Sequence, residues 1–188
     1  QVLYQYRDER EAQAFLDRLM DFISLKKGAG VLDIGCGQGR HAFYLAEKGF
    51  DVTGLDVVAD NIRIASQYEH QHLHFIQHDM RNPFPVSGIS LALNLFTSFG
   101  FFENEEEDIV ALQNIAACLE NGGLLVLDFF NSPKVERELT PNERIEREGL
   151  LFEIKKYIDA GSVVKEICVK EGPKSCCFME KVQLLKLS

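Results

Sequence analysis

No stretch of the chain approaches the ~20 consecutive apolar residues that a bilayer-spanning helix needs. The first residues, "QVLYQYRDER", have neither the basic start nor the apolar centre of a secretion signal. A membrane span and an export leader are therefore not expected, and the default location is the cytoplasm. Cysteine is sparse and odd in number. Cys36, Cys118, Cys168, Cys176 and Cys177 show no framework spacing, and the adjacent Cys176 and Cys177 can hardly bridge each other without strain. We read all five as reduced thiols. Internal repeats and low-complexity segments are lacking too, so a repeat architecture is not expected. Positive charge is also short: residues 1–141 hold 11 Lys or Arg against 21 Asp or Glu, while residues 142–188 hold 9 against 8. An acidic body repels phosphate backbones, which makes nucleic acid an unlikely partner and a small molecule a better one.

What is present fits one folded domain. The 188 residues are 46% hydrophobic and 26% charged, enough to bury a core without staples. Residues 9–23 place Ala12, Phe15, Leu16, Leu19, Met20 and Ile23 at three- and four-residue spacings, predicting an amphipathic helix. "GVLDIGCG" reads as a buried strand entering a glycine turn, and "RHAFYLAEKG" as a helix closed by Gly49. "DVTGLDV", "LHFIQHD", "SLALNLF" and "LLVLDFF" read as further strands. "DNIRIASQY" makes a helix between the first two of these. A long helix capped by Asn104, with Glu107 three residues on and acids at 105–108, follows "SLALNLF". Its expected apolar face is Ile109, Leu112, Ile115 or Ala116, and Leu119, and its expected end is "NGG" at 121–123.

Five short strands alternating with helices predict a doubly wound, mostly parallel α/β sheet. From about residue 142 the runs "ERIEREGLLFEIKKYID", "SVVKEICVKE" and "CCFMEKVQLLKLS" predict an added C-terminal antiparallel β-meander. The domain then divides into an N-terminal helix and lid over 1–27, a ligand-binding core over 28–133 and the strand appendage over 134–188.

Four of the five histidines crowd into "EHQHLHFIQH". His74 and His78 lie at opposite ends of a strand, ~13 Å apart at ~3.3 Å per residue, and His70 with His72 lacks a third ligand. We expect no metal here.

The chemical signal is the turn "VLDIGCGQGR". Gly35, Gly37 and Gly39 allow a tight turn and close approach of a ligand at the C-terminal edge of the sheet. A dinucleotide fingerprint needs a third glycine where Arg40 stands, and Asp33 would repel a pyrophosphate. An NAD(P)-dependent oxidoreductase is thereby disfavoured, and a cofactor without phosphate is favoured. Asp56, closing the second strand, can accept both hydroxyls of an adenosine ribose, against the plainer roles of turn residue or helix cap. Asp79 can accept from an adenine amino group while the Met80 N–H donates to the ring; the plainer alternative is again a turn.

These residues, "VLDIGCGQGRHAFYLAEKGFDVTGLDV" with "HDM" and "ENGGLLVLDFF" downstream, resemble the class I, Rossmann-like methyltransferases that depend on S-adenosylmethionine. The resemblance implies that Asp33, Gly35 and Gly37, with Cys36 between them, hold the methionine part of the cofactor. It gives Asp56 and the adjoining Val57 the ribose, and Asp79 and Met80 the adenine. "NLFTSFGFF" resembles a subgroup in which Asn94, Leu95 and Phe96 pass beside the sulfonium. The implied products are S-adenosylhomocysteine and a methylated small molecule. Phe96, Thr97 and Ser98 are candidate substrate contacts, and Phe99, Phe101 and Phe102 are either pocket wall or core. Tyr4 and Tyr6 resemble an aromatic lid segment. Arg40 pairs either with the methionine carboxylate or with a surface acid. The resemblance assigns no dedicated catalytic residue.

Two departures limit the carry-over. Ser90 stands where relatives open the fourth strand with aspartate, and the usual final helix and hairpin are missing. An uncovered sheet edge leads us to expect a homodimer. The missing final elements also keep open a module that binds S-adenosylmethionine or S-adenosylhomocysteine with little turnover.

Overall fold

A computed structural model describes residues 9–96, 99–102, 104–172 and 174–184, with the side chains of 9–11 left aside. The chain divides into two compact units, the larger formed by Asp8–Phe99 with Glu103–Phe129. In it α1 (Glu9–Ile23), β1 (Gly30–Ile34), α2 (Arg40–Glu47), β2 (Asp51–Asp56) and α3 (Ala59–Ala65) come first. β3 (Leu73–Gln77), β4 (Ile89–Asn94), α4 (Glu105–Cys118) and β5 (Leu119–Leu127) follow. The five strands pair in parallel in the order β3-β2-β1-β4-β5. Because successive strand side chains point to opposite faces, the apolar runs feed two cores. Val31, Val52, Leu91 and Leu93 pack with Leu16 and Leu45 on one face. Leu32, Ile34, Leu55 and Ala92 pack with Ile115 and Cys118 on the other. Coverage of both faces explains why the central strands β1 and β4 are apolar at nearly every position and do not alternate.

α4 differs from its expected phase. Asn104 caps it as expected, its side chain accepting from Glu107 N at 3.0 Å. The buried stripe, however, is Asp108, Ala111, Ile115 and Cys118, while Ile109 and Leu112 are 48% and 38% exposed. The helix meets the sheet on its smaller residues, Ala111 and Cys118, which turns the bulkier ones outward. It also ends at Cys118 and not at the glycines. Residues 119–123 already belong to β5, whose pairing jumps from Ile89 opposite Leu119 to Leu91 opposite Leu124. Gly122 (φ 85°) and Gly123 serve this bulge; a methyl on Gly123 would meet Ile89 O at 2.8 Å.

The second unit contains Gly100–Phe102 and the chain from Phe130 on. A short helix absent from the sequence reading, α5 (Ser132–Glu138), is capped by Asn131. Four antiparallel strands follow in the order β6-β7-β8-β9: Asn142–Arg147, Leu150–Asp159, Ser162–Glu171 and Lys174–Gln183. The first of the three expected runs is itself a hairpin, turning at Glu148 and Gly149, both with positive φ. Phe152 and Ile154 on β7 and Ile167 on β8 form the apolar centre of this sheet.

The reading of all five cysteines as reduced thiols is corrected here. Cys168 and Cys177 lie directly opposite on β8 and β9 and form a disulfide, with Cα atoms 4.1 Å apart. Antiparallel register brings such pairs within bonding reach, and a separation of nine residues does not by itself reveal it. Cys36 and Cys118 are free and buried, and Cys176 is free and exposed. No helix among the described residues is long and apolar enough to cross a membrane.

Candidate functional site

The strand order places the C-terminal ends of β1 and β4 side by side, where the chain's winding direction reverses. Open α/β sheets form their ligand crevice at such a point. The loop leaving β1 is drawn toward β2: Gly35 N and Cys36 N both donate to Leu55 O, at 2.7 and 2.9 Å, and Gly37 N donates to Oδ2 of Asp56 at 2.8 Å. The glycines differ in purpose. A Cβ on Gly37 (φ 57°) would meet nothing within 4 Å, so the loop is open in front of it. A Cβ on Gly39 (φ 89°) would strike the Phe75 ring at 2.6 Å, so that glycine lets α2 pack against β3.

Asp33 is 1% exposed, and its Oδ2 has no hydrogen-bond partner. Burial first, and the charge of Asp56 second, push its carboxyl up to about 7; the Ala42 backbone N–H and Arg40 pull the other way. A buried acceptor short of a donor and close to ionisation is suited to a cationic or N–H-rich ligand group. Asp56 is also buried. Its Oδ1 accepts from Val58 N at 2.8 Å and Asn61 Nδ2 at 3.3 Å, and its Oδ2 from Gly37. A carboxylate offers about four lone-pair sites, two on each oxygen, so Oδ1 is filled and Oδ2 retains capacity for one more donor. Val57 is 59% exposed beside it. Cys36 is buried, and burial followed by Asp33 and Asp56 drives its thiol well above the usual range, toward the neutral form.

Beyond β3, Asp79 has a partner that the sequence reading did not give it. Arg81 donates its backbone N–H at 3.0 Å and its Nη2 at 2.6 Å, holding the Asp79 carboxyl below its ordinary value. Nη1 of Arg81 also reaches Glu107 at 2.7 Å. Met80 is partly buried in the second core, and its carbonyl accepts from Asn114. Of the crowded histidines, His70 Nδ1 accepts from His72 N, and His78 Nε2 lies 3.2 Å from Asn82 O. Among the described residues no three potential ligands cluster as a metal site.

At the end of β4, Asn94 is fully buried. Its Nδ2 donates to Ile34 O at 3.0 Å, and its Oδ1 lacks a partner. Leu95 is buried. Phe96 adopts φ 57°, uncommon for a bulky residue. Its N–H donates to Oδ2 of Asp128 at 3.0 Å. Phe99 is 1% exposed and belongs to the core, whereas Phe101 is 50% exposed. Thr97, Ser98, Tyr4 and Tyr6 lie outside the described residues.

One residue escaped the sequence reading. His41, the histidine outside the cluster, is buried at the start of α2, stacks on Phe96 and contacts Arg40. Its signal was its place one residue after Arg40 and four before the core residue Leu45, on the inward helix face.

Comparison with known proteins places these features among relatives. A family described as a methyltransferase domain matches residues 4–160. YqeM of Bacillus subtilis (strain 168), provisionally named a methyltransferase, is 29% identical over 133 residues, covering 68% of this chain and 54% of its own. The chain spans about half the length of the curated relatives it matches, 54% and 51% for the first two. An S-adenosylmethionine-dependent methyltransferase from Clostridium acetobutylicum superimposes with a TM-score of 0.80 at 15% identity, covering 98% of this chain and 78% of its own. CalS10 of Micromonospora echinaspora, described as an amino pentose methyltransferase with S-adenosylmethionine bound, gives 0.73 at 22% identity, with 96% and 79% covered.

Proposed function

The chain belongs to the methyltransferase-domain family, and from that premise we propose that it transfers a methyl group from S-adenosylmethionine to a small-molecule acceptor. The observation that supports this best is the glycine loop tied to Asp56, with the partnerless carboxylate oxygen of Asp33 beside it. These residues fit the cofactor. Gly37 leaves open space at the loop, Asp33 seeks a cationic donor and Asp56 keeps acceptor capacity on Oδ2 for a ribose hydroxyl. Bound there, S-adenosylmethionine supplies a methyl already activated by a sulfonium.

The chain's task is then to grip and align. Asp33, Gly35, Cys36 and Gly37 hold the methionine part, Asp56 and Val57 the ribose, and Asp79 and Met80 the adenine. Asn94 and Leu95 line the crevice beside the reacting methyl; Phe96, Thr97 and Ser98 are assigned to the acceptor on the family resemblance. Arg40 serves the cofactor side, and Tyr6 is assigned to the cofactor on the family resemblance alone. An amino sugar is one acceptor class to test, since CalS10 is described as an amino pentose methyltransferase.

The test is calorimetric titration with S-adenosylhomocysteine and NAD in parallel. We expect micromolar binding of the first and none of the second; binding of NAD alone overturns the reading. Homocysteine release during an acceptor screen then separates a working enzyme from a module that binds without turnover.

A further inference from the structure

His41 has no task in the reading above, although it is only 7% exposed and stands where α2 begins. Its Nε2 lies 3.2 Å from Nη2 of Arg40. A guanidinium has donors and no acceptor, so the imidazole nitrogen accepts and the ring is neutral, with its proton on Nδ1. Burial first and the Arg40 charge second depress its pKa to about 4, in keeping with that role. The same ring lies flat against Phe96, with centroids 5.0 Å apart and planes inclined by 6°. The Arg40 guanidinium carbon is in turn 5.1 Å from the centre of the Phe96 ring, within cation–π range.

Arg40, His41 and Phe96 thus form a closed triangle. Phe96 keeps its unusual φ of 57° between this stack and the Asp128 carboxylate that holds its N–H. The triangle joins the loop after β1 to the end of β4, on the β4 side of the crevice. Asp56 ends β2 and Asp79 follows β3, on the other side of β1. A nucleoside with its ribose at Asp56 and its base toward Asp79 directs its 5′ substituent toward the triangle.

We propose that His41 is a positioning residue that holds the Arg40 guanidinium, braced on Phe96, to pair with the carboxylate of the cofactor's methionine end. This inference rests on the methyltransferase reading. Arg40 has a long flexible stem, and fixing it before the ligand arrives removes ordering that binding would otherwise have to supply. A neutral acceptor is required for this, because a second cation in the triangle would repel the first.

Two ligands separate the inference from the reading beneath it. S-adenosylhomocysteine carries the amino-acid end, whereas 5′-methylthioadenosine shares the nucleoside and sulfur but lacks it. Calorimetry on the wild type should find S-adenosylhomocysteine the tighter ligand. His41→Phe keeps an aromatic stack and removes the acceptor. It should weaken S-adenosylhomocysteine about tenfold, the loss of one charge-assisted bond, and leave methylthioadenosine unchanged. Arg40→Met should remove the preference at least as fully, and the double variant should be no worse than Arg40→Met alone. Retained preference in Arg40→Met overturns the proposal even if His41→Phe fails to fold. So does an equal loss for both ligands in His41→Phe, or additive losses in the double variant. A wild type that binds neither ligand sinks the methyltransferase reading itself.

Discussion

The backbone N–H of Gly37 donates to Oδ2 of Asp56 across 2.8 Å, joining the loop after β1 to the end of β2. One carboxylate therefore shapes the loop and faces the crevice. Asp56→Ala should weaken S-adenosylhomocysteine binding by ~1.5–3 kcal/mol, the usual worth of hydrogen bonds to a charged acceptor. An unchanged dissociation constant by calorimetry would remove Asp56 from the site.

Asp33 makes stability depend on pH. Its folded-state value, about 7, lies above the ordinary 3.8. The contribution of its neutral form is therefore complete below the unfolded value and is lost as pH rises through about 7, at no more than ~1.4 kcal/mol per pH unit. Melting curves of wild type should shift downward between pH 5 and 8, by ~2–4 °C per kcal/mol. Asp33→Asn should flatten this trend and be the more stable protein at pH 8. Parallel curves for the two proteins would refute the assignment.

Phe75 fills a slot between Gly39 and Gly54, where an added Cβ would meet its ring at 2.6 Å in either case. Gly54→Ala should cost about 1–3 kcal/mol through overpacking. Chemical denaturation should show the loss, and adding Phe75→Leu should recover part of it. No recovery in the double variant would mean that the clash lies elsewhere.

The Cys168–Cys177 bond gives a count that needs no assay of function. Unfolded without reductant, the protein should titrate three thiols, and five after reduction; the native fold should offer chiefly Cys176. Reduction should lower stability by about 2–3 kcal/mol for a loop of this length. Five thiols without reductant would contradict the pairing.

Asp79 can be tested through the base itself. Asp79→Ala should weaken S-adenosylhomocysteine roughly tenfold, as for one lost bond to a charged acceptor, and leave S-inosylhomocysteine, which has a carbonyl in place of the amino group, unaffected. Equal losses would make Asp79 only the Arg81 partner and turn residue that it also is.

The five parallel strands were legible because each is a short run of largely apolar residues set between turns or helical segments, with β1 and β4 buried almost throughout. The glycine turn was legible because its backbone demands are local. The phase of α4 was not, since Ile109, Leu112 and Leu119 fit the 3.6-residue period as well as the true stripe of Ala111, Ile115 and Cys118. Contact with the sheet decided between them. The Arg81 clamp on Asp79 and the disulfide were hidden for a related reason: both depend on which groups the chain brings face to face. His41 was overlooked because a cluster of histidines in sequence drew the attention that a single buried one warranted.

Asn94 has a meaning beyond its own hydrogen bond. Ile34 is registered with Leu55 on β2, and Asn94 with Leu127 on β5, while the β1–β4 register runs no further than Asp33 opposite Leu93. The sheet splits there like a seam, and the Asn94 amide is the stitch across it, reaching Ile34 O where no backbone rung remains. One side chain thus ties the two strand ends together where the cleft begins. A side chain one methylene longer or shorter at position 94 would drop that stitch and alter the crevice where it opens.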